Sequence, residues 1–255
     1  MGGASALLSY RAGAAALVGA LLGPYYAWSS SLWQASIWWD VAFLGLALAP
    51  AVFALVYLAL PLQQARGLLP LGLAFVALAW ALQEAGAGAA SDFAKLAAAS
   101  ALGFWFRSLF DTAGLVAVVA LVIPFVDAYS VWAGPTRTIM SERPEIFTAL
   151  AFALPVPGEE AAAQLGPPDL LFFAFFLSAA SRFGLRPGAT WALMSLSFGA
   201  TLAIAQAASV DGLPALPGLS LAFLAANGDL VWREVRAGRR CRPRAPLGPG
   251  RRRGR

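Results

Sequence analysis

The chain has no histidine, and that absence removes more chemistry than any motif adds. A serine–histidine relay, a cysteine–histidine pair and a zinc site of the His-Glu-x-x-His kind all need an imidazole. The single cysteine, Cys241, excludes an intrachain disulfide and a four-thiolate metal site. No cofactor and no metal is expected. Charge is scarce as well, since Asp, Glu, Lys and Arg together make up 12% of the 255 residues. What is abundant is apolar: 60% of the residues, with a mean hydropathy of +0.70, against about 45–50% in an ordinary soluble domain. The composition predicts an all-α, polytopic helical membrane protein.

A helix needs about 20 mostly apolar residues to cross the hydrocarbon core, and eight such runs can be read. They cover roughly residues 8–28, 41–62, 68–84, 93–110, 112–133, 168–186, 189–208 and 213–231. In the fourth, Lys95 and Arg107 lie near the ends and are expected to snorkel toward the interface. Trp33, Trp38 and Trp39 suit a headgroup belt. The start of the chain, with Arg11 before an apolar run, has some signal-peptide character but is long enough to stay as a first span. This reading divides the chain into a four-helix half at 1–111, a second four-helix half at 112–231 and a tail at 232–255. Ten arginines lie between 233 and 255, so the tail is expected to be solvated, disordered and a topology anchor, with lipid rather than nucleic acid beside it.

Orientation follows from the cations, because positive loops stay cytoplasmic. In an eight-span arrangement Arg11, Arg66, Arg107, Arg182, Arg186 and the tail share one side, which places both termini in the cytoplasm. Asp40, Glu84, Asp92, Asp211 and the long loop 134–167 fall on the other. The high Ala, Gly and Arg content suits a prokaryotic plasma membrane.

Against this background two acids stand out. Asp127 interrupts the apolar run 113–133 and Asp169 opens the run 170–180. A carboxylate at membrane depth costs about 2.5–3.5 kcal/mol on insertion scales, so it faces protein or water and carries chemistry or ion movement. Gly166, Pro167 and Pro168 precede Asp169 and favour an irregular approach followed by a helix start. Leu213, Pro214, Ala215, Leu216 and Pro217 read LPALP, an extended or broken segment with free backbone groups. Close carboxylates share a proton, so that one can act as a base on water while the other polarises a carbonyl.

The ordered set of motifs resembles the presenilin and signal peptide peptidase family of intramembrane aspartyl proteases. Asp127 in PFVDAYSV matches the first catalytic aspartate, in the family's Tyr-Asp motif; Asp169 in LGPPDLLFF matches the second, in its Gly-x-Gly-Asp motif. LPALP matches the Pro-Ala-Leu motif, and Gly134 to Arg137 matches a Gly-Pro-x-Arg. The resemblance covers about residues 115–224 and implies a presenilin-like helical fold with Asp127 and Asp169 as the catalytic pair. It also implies that Pro214, Ala215 and Leu216 help shape the site and pair with an unwound substrate strand, the partners being transmembrane helices or signal peptides.

The family usually has nine spans where eight are read here, and two positions depart from its motifs. Val126 stands in place of the tyrosine and Pro168 in place of the second glycine, adding a ring and deleting an N–H beside the acid. Two other uses of the same acids stay open: a cation channel or transporter, and a non-catalytic binder of transmembrane segments.

Elsewhere, small residues at 178–181 and 195–200 are expected to permit close helix packing. Asp111 and Asp229 read as interfacial charges near arginines, and Glu159 and Glu160 as a solvated helix start. The stretch Ile146 to Val156 is expected to lie on the membrane surface or to cover the site.

Overall fold

Apolar runs of this length leave the backbone as the main source of polar groups, and a helix satisfies those groups within one segment. The computed structural model describes residues 2–134, 142, 144–160, 162–208 and 213–240, and it is mostly helical. In chain order the helices are α1 (Gly2–Trp28), α2 (Ile37–Leu58), α3 (Leu68–Glu84), α4 (Gly88–Arg107) and α5 (Ala113–Trp132). They continue with the short α6 (Pro144–Leu150), then α7 (Pro167–Arg182), α8 (Pro187–Ala208) and α9 (Leu216–Arg240). Three of them, α2, α5 and α8, are long and apolar enough to cross a membrane; α3 is apolar but shorter. These helices mark a membrane protein.

The centre of the bundle is α7, which packs on α4, α8 and α9. Phe173, Phe175, Phe176, Leu177 and Ala180 are fully buried, as expected of a helix apolar on every face. Phe173 lies under Phe53 of α2 with ring centroids 4.1 Å apart, and Phe176 stacks on Phe223 of α9 at 4.8 Å. Packing of α4 on α7 crosses the sequence boundary at residue 111. It is close because Gly103 meets α7 there, where a Cβ would lie 2.6 Å from the Leu171 carbonyl oxygen. The small-residue stretch of α8 works similarly: a Cβ on Gly45 of α2 would come within 2.6 Å of the Gly199 Cα.

Within α2 the turn Leu44–Leu48 widens to π geometry just before Pro50. Proline has no N–H and its ring presses on the carbonyl four residues back, and a wider turn relieves that pressure.

Two features correct the sequence reading. Residues 152–165 contain a β-hairpin: β1 (Phe152–Pro155) pairs antiparallel with β2 (Ala162–Leu165), in register Phe152 with Leu165 and Pro155 with Ala162. Glu159 and Glu160 therefore sit exposed in its loop, and Ala162 and Ala163 form a strand rather than a helix. Gly158 makes the turn at φ 73°, and its N–H donates to the Ser29 carbonyl at 2.8 Å. The stretch Ile146 to Val156 splits between α6 and β1. The second correction concerns the cations of α4, which turn inward. Lys95 Nζ bonds Asp92 at 3.1 Å and the Ala151 carbonyl at 2.9 Å, and Arg107 Nε bonds Ser178 Oγ at 3.2 Å.

At the opposite end of the bundle from the hairpin, Arg186 grips Asp229 through both guanidinium Nη atoms at 2.8 and 2.9 Å. Helix α9 runs on to Arg240, past the boundary drawn at 231, and the arginines beyond it lie outside the described residues, as do Asp211 and Arg137.

Candidate active site

The approach Gly166-Pro167-Pro168-Asp169 folds as a helix start for the reason its composition suggests. Gly166 is extended at φ −64° and ψ 148°, and the two prolines occupy the first turn of α7. First-turn N–H groups have no partner within the helix, so proline forfeits no bond there. Asp169 closes the turn in both directions: its Oδ2 accepts the Gly166 N–H at 3.1 Å, and its own N–H donates to the Gly166 carbonyl at 3.0 Å. A Cβ on Gly166 would lie 3.2 Å from that Oδ2, so the first glycine of the motif is the one pressed against the acid.

Asp127 is reached along α5, past Pro124. Its Oδ2 accepts the N–H of Leu216 at 3.1 Å. Leu213 and Pro214 are non-helical, the Ala215 carbonyl accepts the first helical bond of α9 from Leu219, and Pro217 falls in the first turn. Leu216 therefore offers an orphan amide at the positive end of a helix, and the Asp127 carboxylate caps it from another chain segment. Each aspartate is thus held by one backbone N–H at or just before a helix start.

Both carboxylates line one cavity of about 590 Å³, and they lie within electrostatic reach of each other. Gly166, Pro167, Pro168, Leu213, Pro214 and Ala215 line it too, whereas Leu216 contributes its N–H to Asp127. More of the wall comes from Phe147, Thr148 and Leu150 of α6, within the stretch expected to lie on the membrane surface or cover the site, and from β2 and Phe198, Thr201 and Leu202 of α8, which were not singled out as site residues. Among the described residues that line it, Asp127 and Asp169 are the charged ones. Val126, the first departure from the family motif, is exposed and outside the cavity wall. Gly134 is described and the arginine of its motif is not.

The hairpin presents one of its two edges to this cavity. On β1, the Ala153 carbonyl accepts from Tyr26 Oη at 2.9 Å and the Pro155 carbonyl from Tyr25 Oη at 2.6 Å, so these residues point away from β2. Antiparallel residues alternate in direction. By the register, Ala162 and Gln164 then turn their backbone groups away from β1, and both residues line the cavity.

Polar backbone in the lining, two acids and an apolar wall make a site able to hold water and an extended peptide. No family model, curated protein or solved structure matches the chain, so the likeness to a known family rests on the three motifs and the place where they meet.

Proposed function

We propose that this protein is an intramembrane aspartyl protease that hydrolyses peptide bonds of transmembrane helices or signal peptides. The observation that carries the reading is the meeting of Asp127, Asp169 and Leu213, Pro214 and Ala215 at one cavity, with Leu216 N–H bonded to Asp127. In this reading the eight long helices are eight spans in the plasma membrane, both termini are cytoplasmic, and the cavity opens toward the outer side.

The chemistry follows from two acids that carry one proton between them. The ionised aspartate takes a proton from water as the water oxygen bonds to the carbonyl carbon, and the protonated one gives its proton to the carbonyl oxygen. The tetrahedral intermediate collapses when the amide nitrogen is protonated and the C–N bond breaks, leaving a carboxyl and an amine terminus. Metal, thiol and imidazole are not required. A helical amide is shielded by its own hydrogen bonds, so the substrate must first be drawn out as a strand. The edge groups of Ala162 and Gln164, with the backbone at Pro214 and Ala215, are suited to receive it by strand addition.

The test is cleavage of a tagged single-span peptide in liposomes by wild type, Asp127→Asn and Asp169→Asn. Cleavage that disappears in both variants supports the proposal. Folded wild type that cleaves no peptide across a range of pH overturns it. A cavity whose charged groups are two acids also suits a cation path, and acid-dependent ion flux with intact peptide would identify that instead.

A further inference from the structure

The catalytic proposal uses α5, α7, α9 and β2, and leaves a cluster of polar groups on α1 and α4 without a task. Tyr25, Tyr26, Asp92 and Lys95 meet along the edge of β1 that faces away from β2. Tyr25 and Tyr26 donate to the Pro155 and Ala153 carbonyls, Lys95 donates to the Ala151 carbonyl just ahead of the strand, and Asp92 lies beside the Ala153 N–H. Asp92 is only 7% exposed, and Lys95 balances its charge at 3.1 Å. The tyrosine rings are fixed in turn, Tyr26 against Phe93 at 5.1 Å and Tyr25 against Phe43 at 5.5 Å.

A two-stranded hairpin is marginal alone. Either of its edges can template another strand. Here the four side chains occupy one edge completely enough to decide which is left. We infer that Tyr25, Tyr26, Asp92 and Lys95 are positioning residues that close β1 and leave β2 as the edge on which a substrate strand adds, in one register. The inference rests on the protease reading. Register matters because slipping by one residue turns every side chain to the other face and moves the scissile amide by about 3.3 Å relative to the aspartates. A clasp on β1 therefore acts on where the peptide is cut as well as on how tightly it binds.

The variant Tyr25→Phe/Tyr26→Phe keeps both rings and removes the two hydroxyl donors. With the tagged peptide it should raise KM roughly fivefold or more, leave kcat within about twofold, and add fragments cut at neighbouring bonds to the wild-type pair. Lys95→Met should do the same and Lys95→Arg should restore the wild-type pattern. An unchanged KM with a single pair of fragments overturns the inference. A second measurement needs no substrate: hydrogen exchange of the amides at 152–165 should quicken about fivefold in the tyrosine variant. Unchanged exchange overturns the clasp whether or not the protein cleaves. Faster exchange in a protein whose wild type cleaves nothing would keep the clasp and remove the protease reading.

Discussion

Helices α7 and α5 each bring one aspartate to the cavity, and they could hardly be packed more differently. Around α7, α4, α8 and α9 leave the side chains from Phe173 to Ala180 with no exposed surface. Among the described side chains of α5 only Ala113, Val116 and Ala120 are buried, while Leu115, Val118, Leu121, Val122, Phe125, Val126 and Tyr129 face outward. An apolar face that stays outward suits lipid, which costs such side chains nothing. Asp169 therefore stands on a fixed post, with its turn closed through Gly166. Asp127 stands on a helix held chiefly by α9, and the Leu216 N–H links the acid itself to that partner. The lesson is that the two halves of one site draw their order from different sources: side-chain packing for one, a backbone bond across helices for the other.

That contrast breaks most visibly at the post. Phe173→Ala removes a ring that is fully buried and stacked on Phe53, and should cost about 3–5 kcal/mol by leaving a cavity in the core. Val122→Ala on α5, 53% exposed, should stay within about 0.5 kcal/mol. Thermal unfolding in one detergent checks both, and equal losses would mean that α5 is packed as firmly as α7.

A smaller effect separates the acid from its support. Gly166→Ala places a Cβ 3.2 Å from Asp169 Oδ2 and should cost about 1 kcal/mol as the carboxylate gives way. Activity should fall further than stability, which a comparison of cleavage rate with melting temperature would show. Pro168→Gly tests the neighbouring position. The proline sits in a first turn where its missing N–H forfeits nothing, so the change should lower stability by about 0.4–1 kcal/mol through the unfolded chain alone. Turnover should remain, and its abolition would mean that the ring itself shapes the cavity.

How much of this was legible in the chain follows from the range of the forces involved. The long helices lie where the apolar runs lie, because backbone satisfaction in an apolar setting is local to each segment. The helix start at Asp169 was equally local, written in Gly166, Pro167 and Pro168. The hairpin was not legible: four residues of FALP and four of AAQL have no strong strand pattern, and their order comes from Tyr25, Tyr26 and Lys95, distant in the chain. Lys95 and Arg107 were read as snorkelling for the same reason. Lys95 has a local partner in Asp92, three residues back, but Ala151 and Ser178, which complete the inward contacts, are 56 and 71 residues away, and no local window contains them.

The smallest expected effect concerns Val126, where the family motif has a tyrosine. Read as sequence, the valine deprives Asp127 of a neighbouring hydroxyl. On α5, however, adjacent residues are turned by about 100° from one another, and Val126 is 54% exposed on the outward face while Asp127 points to the cavity. A tyrosine at 126 would set its ring among the apolar side chains that face outward, beside Tyr129, and its hydroxyl would reach the interface rather than the acid. Val126→Tyr should therefore leave stability within about 0.5 kcal/mol and the cleavage rate within about twofold. A gain of tenfold or more would show that α5 rotates when substrate binds, bringing position 126 into the cavity. In that event the lightly packed helix would be the moving half of the site, and the contrast with α7 would extend from packing to mechanism.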